Sequence, residues 1–187
     1  MSLTVWLKKN WIKKLFLHQD IKVILIYILS QKNIDKYMRV VVQRVKNASV
    51  KVNNKIVSKI FFGLLVFVGF SINDDEKDID WIARKILGLR IFNDKNNKMN
   101  FSIMDVSGEL LIVSQFTLLA SSKRGNRPSY SLAARPENAK KLFDNFIKRL
   151  KKKSGLNVAS GIFGSDMKVN LLNDGPVTII IDSKNRL

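Results

Sequence analysis

Cysteine is absent from this chain of 187 residues, and histidine occurs once, as His18. Without cysteine there can be no disulfide, no thiolate metal site and no cysteine nucleophile. From Met38 onward histidine is absent too, which excludes a Ser-His-Asp triad, a Cys-His pair and the usual zinc sites from that part of the chain. A reaction there must use hydroxyls, carboxylates, lysines, backbone dipoles or the substrate itself. We expect neither a metal nor a cofactor.

Acidic residues are few, since 15 Asp and Glu stand against 33 Lys and Arg, a formal net charge of +18. Such a positive field attracts polyanions, so nucleic acid or an anionic membrane surface is a plausible partner. A genome that favours lysine and asparagine codons would produce the same excess. The apolar fraction of 46% is typical of a soluble globular protein, and the length suits one domain with or without an appendage.

The first 37 residues differ from the rest of the chain. Apolar side chains recur there at helical spacing. On a helix, Lys8, Lys9, Lys13 and Lys14 would lie on the opposite face. Three interpretations compete: a basic amphipathic helix on a membrane surface, a targeting peptide, or upstream sequence read as protein. We favour the last, with translation beginning at Met38, because a new strand pattern starts directly after it. The domain would then span residues 38–187.

The pattern from Met38 onward predicts strands, helix, strands, helix and strands. A hairpin turns at Asn53-Asn54, and an almost wholly apolar run at 63–70 indicates a central strand buried on both faces. One helix is predicted from Asn73 to Leu87 with Gly88 as its stop, and a second from Pro136. Other predicted elements are short strands at 89–92, 99–101, 167–172 and 177–181, with a turn at 173–176. We therefore expect an α+β fold of mostly antiparallel, barrel-like sheets, joined by hairpins rather than βαβ units, with two amphipathic helices packed on them.

The stretch Glu109–Leu118 is an apolar run that ends in hydroxyl and amide side chains. It predicts a buried strand whose polar end, with Ser114, Gln115 and Thr117, lies where the strand leaves the core. A strand fixes side chains rigidly, so these residues could line a pocket. They could equally serve to satisfy nearby backbone groups.

Two basic segments follow this stretch. The loop at 121–129 carries three cations, a glycine and a proline, and could grip phosphate or merely be solvated. The second helix carries lysines on its polar face and in its tail, where basic residues also favour the helix dipole.

Two motifs together carry a family resemblance: Ser114-Gln115-Phe116-Thr117-Leu118 and Asn173-Asp174-Gly175-Pro176-Val177-Thr178. Further matching pieces are the segments 38–45, 90–94, 98–100 and 124–129. With them the chain closely resembles D-aminoacyl-tRNA deacylase, a chiral-proofreading hydrolase, in continuous order from about Met38 to Asp182. Residues 1–37 have no counterpart in the family pattern, which supports the start at Met38.

The resemblance implies a cytoplasmic homodimer without obligatory membrane contact. Its two active sites would lie at the subunit interface, each holding the 3′-terminal aminoacyl-adenosine of a charged tRNA. The family cleaves the ester between this adenosine and a D-amino acid, in many members also glycine. Its cis Gly-Pro pair, here Gly175-Pro176, would enter the partner's pocket and exclude an L side chain, with Arg44 holding the pair in position and Asn173 in the same motif.

For the chemistry, the resemblance implies backbone donors near the Phe116–Thr117 peptide and assistance from the ribose hydroxyl. Thr117 as a covalent nucleophile is an older idea, and it lacks an activating base in this sequence. Ser114 belongs to the same catalytic motif. Gln115 and Met167 would line the adenosine pocket, with Phe163 as a stacking partner, although buried aromatics and methionines commonly serve only to pack.

Two other functions stay open on the sequence. The charge and the basic start favour a non-enzymatic protein that binds RNA or a membrane surface, but this leaves the two polar motifs without a role. The same scaffold could also carry a different ester or amide hydrolase.

Overall fold

The computed structural model describes residues 37–123 and 125–184; the predictions for residues 1–36 and for Arg124 lie outside this range. The strands and helices confirm the predicted α+β class, with two helices packed on a largely antiparallel sheet. In chain order the elements are β1 Arg39–Val52, β2 Lys55–Ile60, β3 Gly63–Gly69, α1 Glu76–Gly88, β4 Phe92–Asn93, β5 Met99–Phe101, β6 Glu109–Ser114, a 3-10 turn Phe116–Leu119, α2 Pro136–Ser154, β7 Val158–Ser160 and β8 Lys168–Asp182.

The long strand β1 organises the sheet. Its first half pairs with β3 and its second half with β2, while β8 runs antiparallel along its other edge. The predicted hairpin is confirmed, and both turn residues, Asn53 and Asn54, have positive φ of 49° and 61°, as the favoured two-residue turn requires. Because β2 also contacts β6 and β7, the sheet curls towards a barrel.

The predicted absence of βαβ connections is wrong. Strand β6 lies parallel to β3, and β7 lies parallel to β6, so each main helix belongs to a crossover between parallel neighbours. The segments between these strands are long enough for such crossovers. Strand β3, predicted as a central strand, has parallel β6 on one edge and antiparallel β1 on the other, and it is buried along almost its whole length.

Local sequence signals set the helix ends. The Asp75 side chain accepts hydrogen bonds from the amides of Lys77 and Asp78 and so caps α1. The predicted stop at Gly88 is wrong in detail, because Gly88 is the last helical residue and the cap is Leu89 in an extended conformation. Of the predicted strand at 89–92, only Phe92 therefore belongs to a strand, namely β4. Helix α2 begins at Pro136 and ends before Gly155, whose φ of 65° terminates it.

Two apolar cores lie on opposite faces of the sheet. The larger one contains Val40, Val42, Leu64 and Val66 from the sheet, covered by the helices. From α1 it takes Ile79, Ile82, Ala83, Ile86 and Leu87, as predicted, and from α2 it takes Phe143, Phe146 and Leu150. The smaller one, inside the curled sheet, contains Val45, Ala48, Val50, Ile60, Leu65, Leu111 and Val113.

The predicted turn at 173–176 is instead a bulge within one strand. Strand β8 stays antiparallel to β1 throughout: Asn173 pairs with Val45 and Thr178 pairs with Gln43. Five steps along β8 therefore oppose two steps along β1, and the excess residues protrude from the ladder. The Gly175-Pro176 pair lies in this protrusion, and its peptide bond is cis.

Candidate active site

A cleft of about 700 Å³ opens where β3 and β6 end. Strand β6 stops at Ser114, and the Gln115 amide still donates to the Val68 carbonyl at 2.7 Å before the chain turns into the 3-10 turn. Ser114 and Gln115 are half-buried, whereas Phe116 is 56% exposed; all three line the cleft. The polar end of the predicted strand thus lies at the edge of the core.

The 3-10 turn leaves two backbone donors at the cleft rim. The amides of Leu118 and Ala120 donate to Gln115 and Thr117 within the turn. Among the described residues, the amides of Phe116 and Thr117 donate to no carbonyl and to no side chain, as expected for the first residues of a helical turn. Two neighbouring N–H groups are therefore unpaired within the described residues, and one of them belongs to Phe116, which lines the cleft.

Thr117 itself does not line the cleft. Its exposed hydroxyl accepts a hydrogen bond from the side-chain amide of Gln115. This contact gives the hydroxyl no base that could remove its proton, because the amide nitrogen is a donor. The two side chains thus bond to each other, not to the nearby backbone groups named in the alternative interpretation of this stretch.

The opposite wall of the cleft is formed by the segment before α2. None of the residues of this segment is among the predicted site residues. The Ala134 amide donates to the Phe70 carbonyl at 2.8 Å, which lays residues 130–135 beside the end of β3. Tyr130 meets Phe116 edge to face, with ring centroids 5.0 Å apart, and Ala133 lines the cleft between larger side chains. No local signal marks this wall, because only a pairing with a distant segment creates it.

Phe163 and Met167, two of the predicted site residues, both line the cleft. Both also pack: the Phe163 ring lies 5.7 Å from that of Phe143, and Met167 packs against the smaller core. Gly161 permits this arrangement, since a Cβ on it would lie 2.5 Å from the Met167 sulfur.

Four of the predicted site residues form a separate cluster around the β8 bulge: Arg44, Asn173, Gly175 and Pro176. The Arg44 side chain is buried, with the residue 6% exposed, and its guanidinium donates to the carbonyls of Asp174 and Ile91. The Asn173 side-chain oxygen accepts from the Val177 amide at 2.9 Å, which closes the base of the bulge.

Two features of the structure require glycine at residue 175. Its φ of 125° is a conformation that L residues rarely adopt. A Cβ there would also lie 2.8 Å from the Arg44 Nη2 atom and 2.9 Å from a methyl group of Val177. Gly175 and Pro176 are both exposed, so the bulge presents its backbone and a flat ring outward.

The bulge and the cleft belong to different parts of one subunit. Arg44 pairs with Leu64 near the start of β3, whereas Val68, at the other end of β3, lines the cleft. Leu64 and Val68 are four steps apart along β3, which corresponds to about 13 Å. None of Arg44, Asn173, Gly175 and Pro176 is among the cleft residues.

Ionisable groups contribute little to the cleft. Tyr130, Arg135 and Asp166 line it, but Asp166 is exposed and forms an ion pair with Lys168 at 2.9 Å. Within the described residues no three His, Cys, Asp or Glu side chains are grouped as metal ligands would be. In the same part of the chain no helix is long and apolar enough to span a membrane.

The fold and this cleft define a curled-sheet protein whose pocket is lined by amides, hydroxyls and aromatic rings rather than by an acid-base pair. The family model described as D-Tyr-tRNA(Tyr) deacylase matches residues 41–182. The chain belongs to this family.

Individual relatives agree. The chain is 56% identical over 149 residues to a D-aminoacyl-tRNA deacylase of Flavobacterium psychrophilum, covering 80% of this chain and 99% of that protein. It is 54% identical over 147 residues to one of Thermosipho melanesiensis, covering 79% and 98%.

Two solved structures share the fold. One is the c-Myc DNA unwinding element binding protein, with a TM-score of 0.72 and 41% identity over 76% of this chain and 97% of that chain. The other, described as a probable eukaryotic D-amino acid tRNA deacylase, has a TM-score of 0.69 at 20% identity, covering 78% and 99%, and supports the fold alone.

Proposed function

We propose that the protein hydrolyses the ester bond of D-aminoacyl-tRNA and releases free D-amino acid and tRNA, a chiral-proofreading reaction. The observation that carries this proposal is the pair of neighbouring amides of Phe116 and Thr117, which have no partner among the described residues and stand beside a cleft of about 700 Å³ that Phe116 lines. Family membership supports the same activity.

The chemistry requires no strong acid or base. A water molecule attacks the ester carbonyl carbon, the bond from that carbon to the ribose oxygen breaks, and this oxygen takes up a proton. The free amides would donate to the carbonyl oxygen as negative charge develops on it, the task of an oxyanion hole. An aminoacyl ester is already activated, so orientation of water by the ribose 2′-hydroxyl would supply much of the remaining acceleration.

Selection against L-amino acids would come from a second subunit. One chain's Gly175 and Pro176 are exposed and lie away from its own cleft, so in a homodimer they could enter the cleft of the partner. A rigid wall at the substrate α-carbon would clash with an L side chain, and such exclusion discriminates better than a weak preference for the D form. Arg44 and Asn173 would hold this wall through the contacts described above.

An exposed apolar patch on the sheet supports the homodimer in this proposal. Val41 pairs with Phe67 on one side and with Ile180 on the other, so these three side chains share the face opposite the helices. Ile180 lies on β8, which pairs only with β1 among the described strands, and it is 64% exposed; an exposed apolar patch of this kind can mark an interaction surface. Covering this patch would stabilise a homodimer.

Several finer points belong to the same proposal. Gln115, Phe163 and Met167 would contact the terminal adenosine, and Ser114 would help shape the rim. Glycyl-tRNA would also be cleaved, because glycine has no side chain for the wall to exclude. Residues 38–187 would form the functional domain, acting in the cytoplasm without obligatory membrane contact.

The test is to incubate the full chain with D-Tyr-tRNA and with L-Tyr-tRNA and to follow the release of free tyrosine. We expect rapid release from the D-substrate and almost none from the L-substrate. A tRNA ending in 2′-deoxyadenosine should react far more slowly, as the role of the ribose hydroxyl requires. Binding without release, or equal release from both substrates, would contradict the proposal. Sedimentation analysis should give the mass of a dimer.

A further inference from the structure

The outer face of α2 carries three lysines without acidic partners. Lys141, Lys148 and Lys152 lie seven and four residues apart and therefore project from one face of the helix, about 10 Å and 6 Å apart along its axis. All three are exposed, and none forms an ion pair within the described part of the chain. We call these three residues the lysine ridge. Two acidic residues lie close to this line: Glu137, one turn before Lys141, and Asp144, one turn before Lys148, whose carboxylate pairs with Lys140.

Two basic residues beside the ridge are already paired with α1. Arg149 contacts Glu76 and Asp80, and Lys153 lies 3.4 Å from Asp80. These contacts attach α2 to α1 and neutralise the basic residues between the two helices. A groove of about 630 Å³ lies beside the ridge, lined by Lys148, Lys152 and the residues of this junction. The three charges of the ridge therefore form no ion pair within the described residues that would stabilise the fold.

The ridge leads away from the cleft. Pro136 and Ala139 in the first turn of α2 line the cleft, and Lys152 lies about 24 Å further along the axis. The cleft has room for the terminal aminoacyl-adenosine of a bound tRNA but not for the nucleotides that precede it. Their phosphates must cross the surface outside the cleft, and α2 starts at its edge.

We propose that the lysine ridge of α2 binds backbone phosphates of the acceptor end of tRNA while the aminoacyl-adenosine occupies the cleft; this inference rests on the proposed function. The helix suits RNA better than a membrane surface. Interfacial membrane helices expose an apolar face, whereas the apolar face of α2, with Phe143, Phe146 and Leu150, is buried in the core. What remains outside is charge, which phosphates recognise without base contacts.

The first test is direct binding, which needs no turnover. The labelled probe is an uncharged RNA hairpin that copies an acceptor stem with its single-stranded 3′ end. We expect the triple variant Lys141→Gln/Lys148→Gln/Lys152→Gln to bind this hairpin at least roughly tenfold more weakly than the unmodified chain does. The slope of log affinity against log salt should become shallower by about two, since about 0.7 to 0.9 is lost per phosphate contact.

The matched control removes the same charge elsewhere. Lys51, Lys55 and Lys95 are also exposed and also lack ion pairs within the described residues, so Lys51→Gln/Lys55→Gln/Lys95→Gln should bind the hairpin as the unmodified chain does. Equal losses in both triple variants would show a general field effect and overturn the proposal. So would preserved hairpin binding in the ridge variant, or binding to anionic phosphatidylserine vesicles but not to the hairpin.

A second test separates this inference from the proposed function. Hydrolysis of D-Tyr-tRNA is compared with that of D-tyrosyl-adenosine, which lacks the preceding phosphates. The ridge variant should show a raised KM for the tRNA with unchanged kcat, and unchanged kinetics with the small ester. If the unmodified chain cleaves neither substrate, the proposed function fails, while hairpin binding still decides the role of the ridge. Equal effects on both substrates would overturn the ridge proposal alone.

Discussion

Arg44 donates from its Nε atom to the carbonyl oxygen of Asp174 at 3.0 Å, and the same Nε atom lies 3.3 Å from the Asp174 carboxylate. One buried guanidinium thus holds both the backbone and the side chain of the residue that precedes Gly175. It also donates to the Ile91 carbonyl, so the segment after α1 and the β8 bulge share one anchor. The position of the Gly175-Pro176 pair therefore depends on a side chain from β1.

Removing this anchor should affect chiral selection more than folding. Arg44→Ala leaves the carbonyls of Asp174 and Ile91 without a donor, at a cost of about 1 to 3 kcal/mol in the free energy of unfolding. The protein should stay folded at 25 °C, but the ratio of D-Tyr-tRNA to L-Tyr-tRNA hydrolysis should fall. Arg84→Ala, which removes an exposed arginine paired with Asp80, is the control and should change neither quantity much. An unchanged ratio in Arg44→Ala would contradict the role of Arg44.

A side chain at residue 175 should disturb the bulge through two effects that can be separated. Gly175→Ala combines an unfavourable φ with a Cβ only 2.8 Å from the Arg44 guanidinium. Gly125 has a similar φ of 117°, but a Cβ there meets nothing within 4 Å, so Gly125→Ala measures the conformational cost alone. We expect Gly125→Ala to lose about 1 kcal/mol of stability and Gly175→Ala clearly more. Chemical denaturation of both variants checks this, and equal losses would show that the contact with Arg44 is unimportant.

Thr117→Ala should keep most of the hydrolytic activity. Among the described residues the Thr117 hydroxyl bonds only to the Gln115 side-chain amide, whereas the N–H groups of Phe116 and Thr117 are backbone groups that the substitution leaves in place. The rate with D-Tyr-tRNA should fall less than about tenfold, far below the loss expected on removal of a covalent nucleophile. A folded but inert Thr117→Ala protein would instead indicate that Thr117 is the nucleophile.

Asp74 should make stability depend on pH. Burial raises the pKa of its carboxyl from 3.8 to about 6, against the opposing effect of hydrogen bonds from the amides of Ser71 and Met38. Since the folded state holds this proton more tightly than the unfolded state, the Asp74 contribution is complete below about pH 4 and is lost as pH rises through 6. The loss amounts to about 2 to 3 kcal/mol. Asp74→Asn should remove this part of the slope in urea unfolding between pH 4 and 7.

The contact between the Asp74 carboxylate and Met38 leads to a test of the proposed start at Met38. The Met38 nitrogen lies 2.8 Å from Asp74 Oδ1. In a chain that begins at Met38 this nitrogen is a cationic amine, and an adjacent positive charge lowers the pKa of a carboxyl. We expect residues 38–187 to fold, to hydrolyse D-Tyr-tRNA at the rate of the full chain, and to lose stability less between pH 4 and 7. Inactive or insoluble protein would show that residues 1–37 belong to the functional unit.

Much of the secondary structure could be predicted because its causes are local. Asn53-Asn54 tolerates the positive φ of a tight hairpin, Asp75 caps the helix that follows it, and Pro136 suits the first turn of α2. The polar end of β6 also followed from the sequence, since the apolar run stops at Ser114. Family resemblance, rather than these patterns, supplied the importance of Gly175-Pro176.

Tertiary structure alone decided how these pieces meet. The parallel pairing of β3 with β6, the continuity of β8 through its bulge and the wall at Tyr130–Ala134 all depend on hydrogen bonds between segments distant in sequence. Local patterns carry no information on such pairings, because a residue's own neighbours do not determine which strand lies beside it. For the same reason only the fold shows that the cleft and the Gly175-Pro176 bulge lie apart in one chain, which is why the proposed function places them in two different subunits of a dimer.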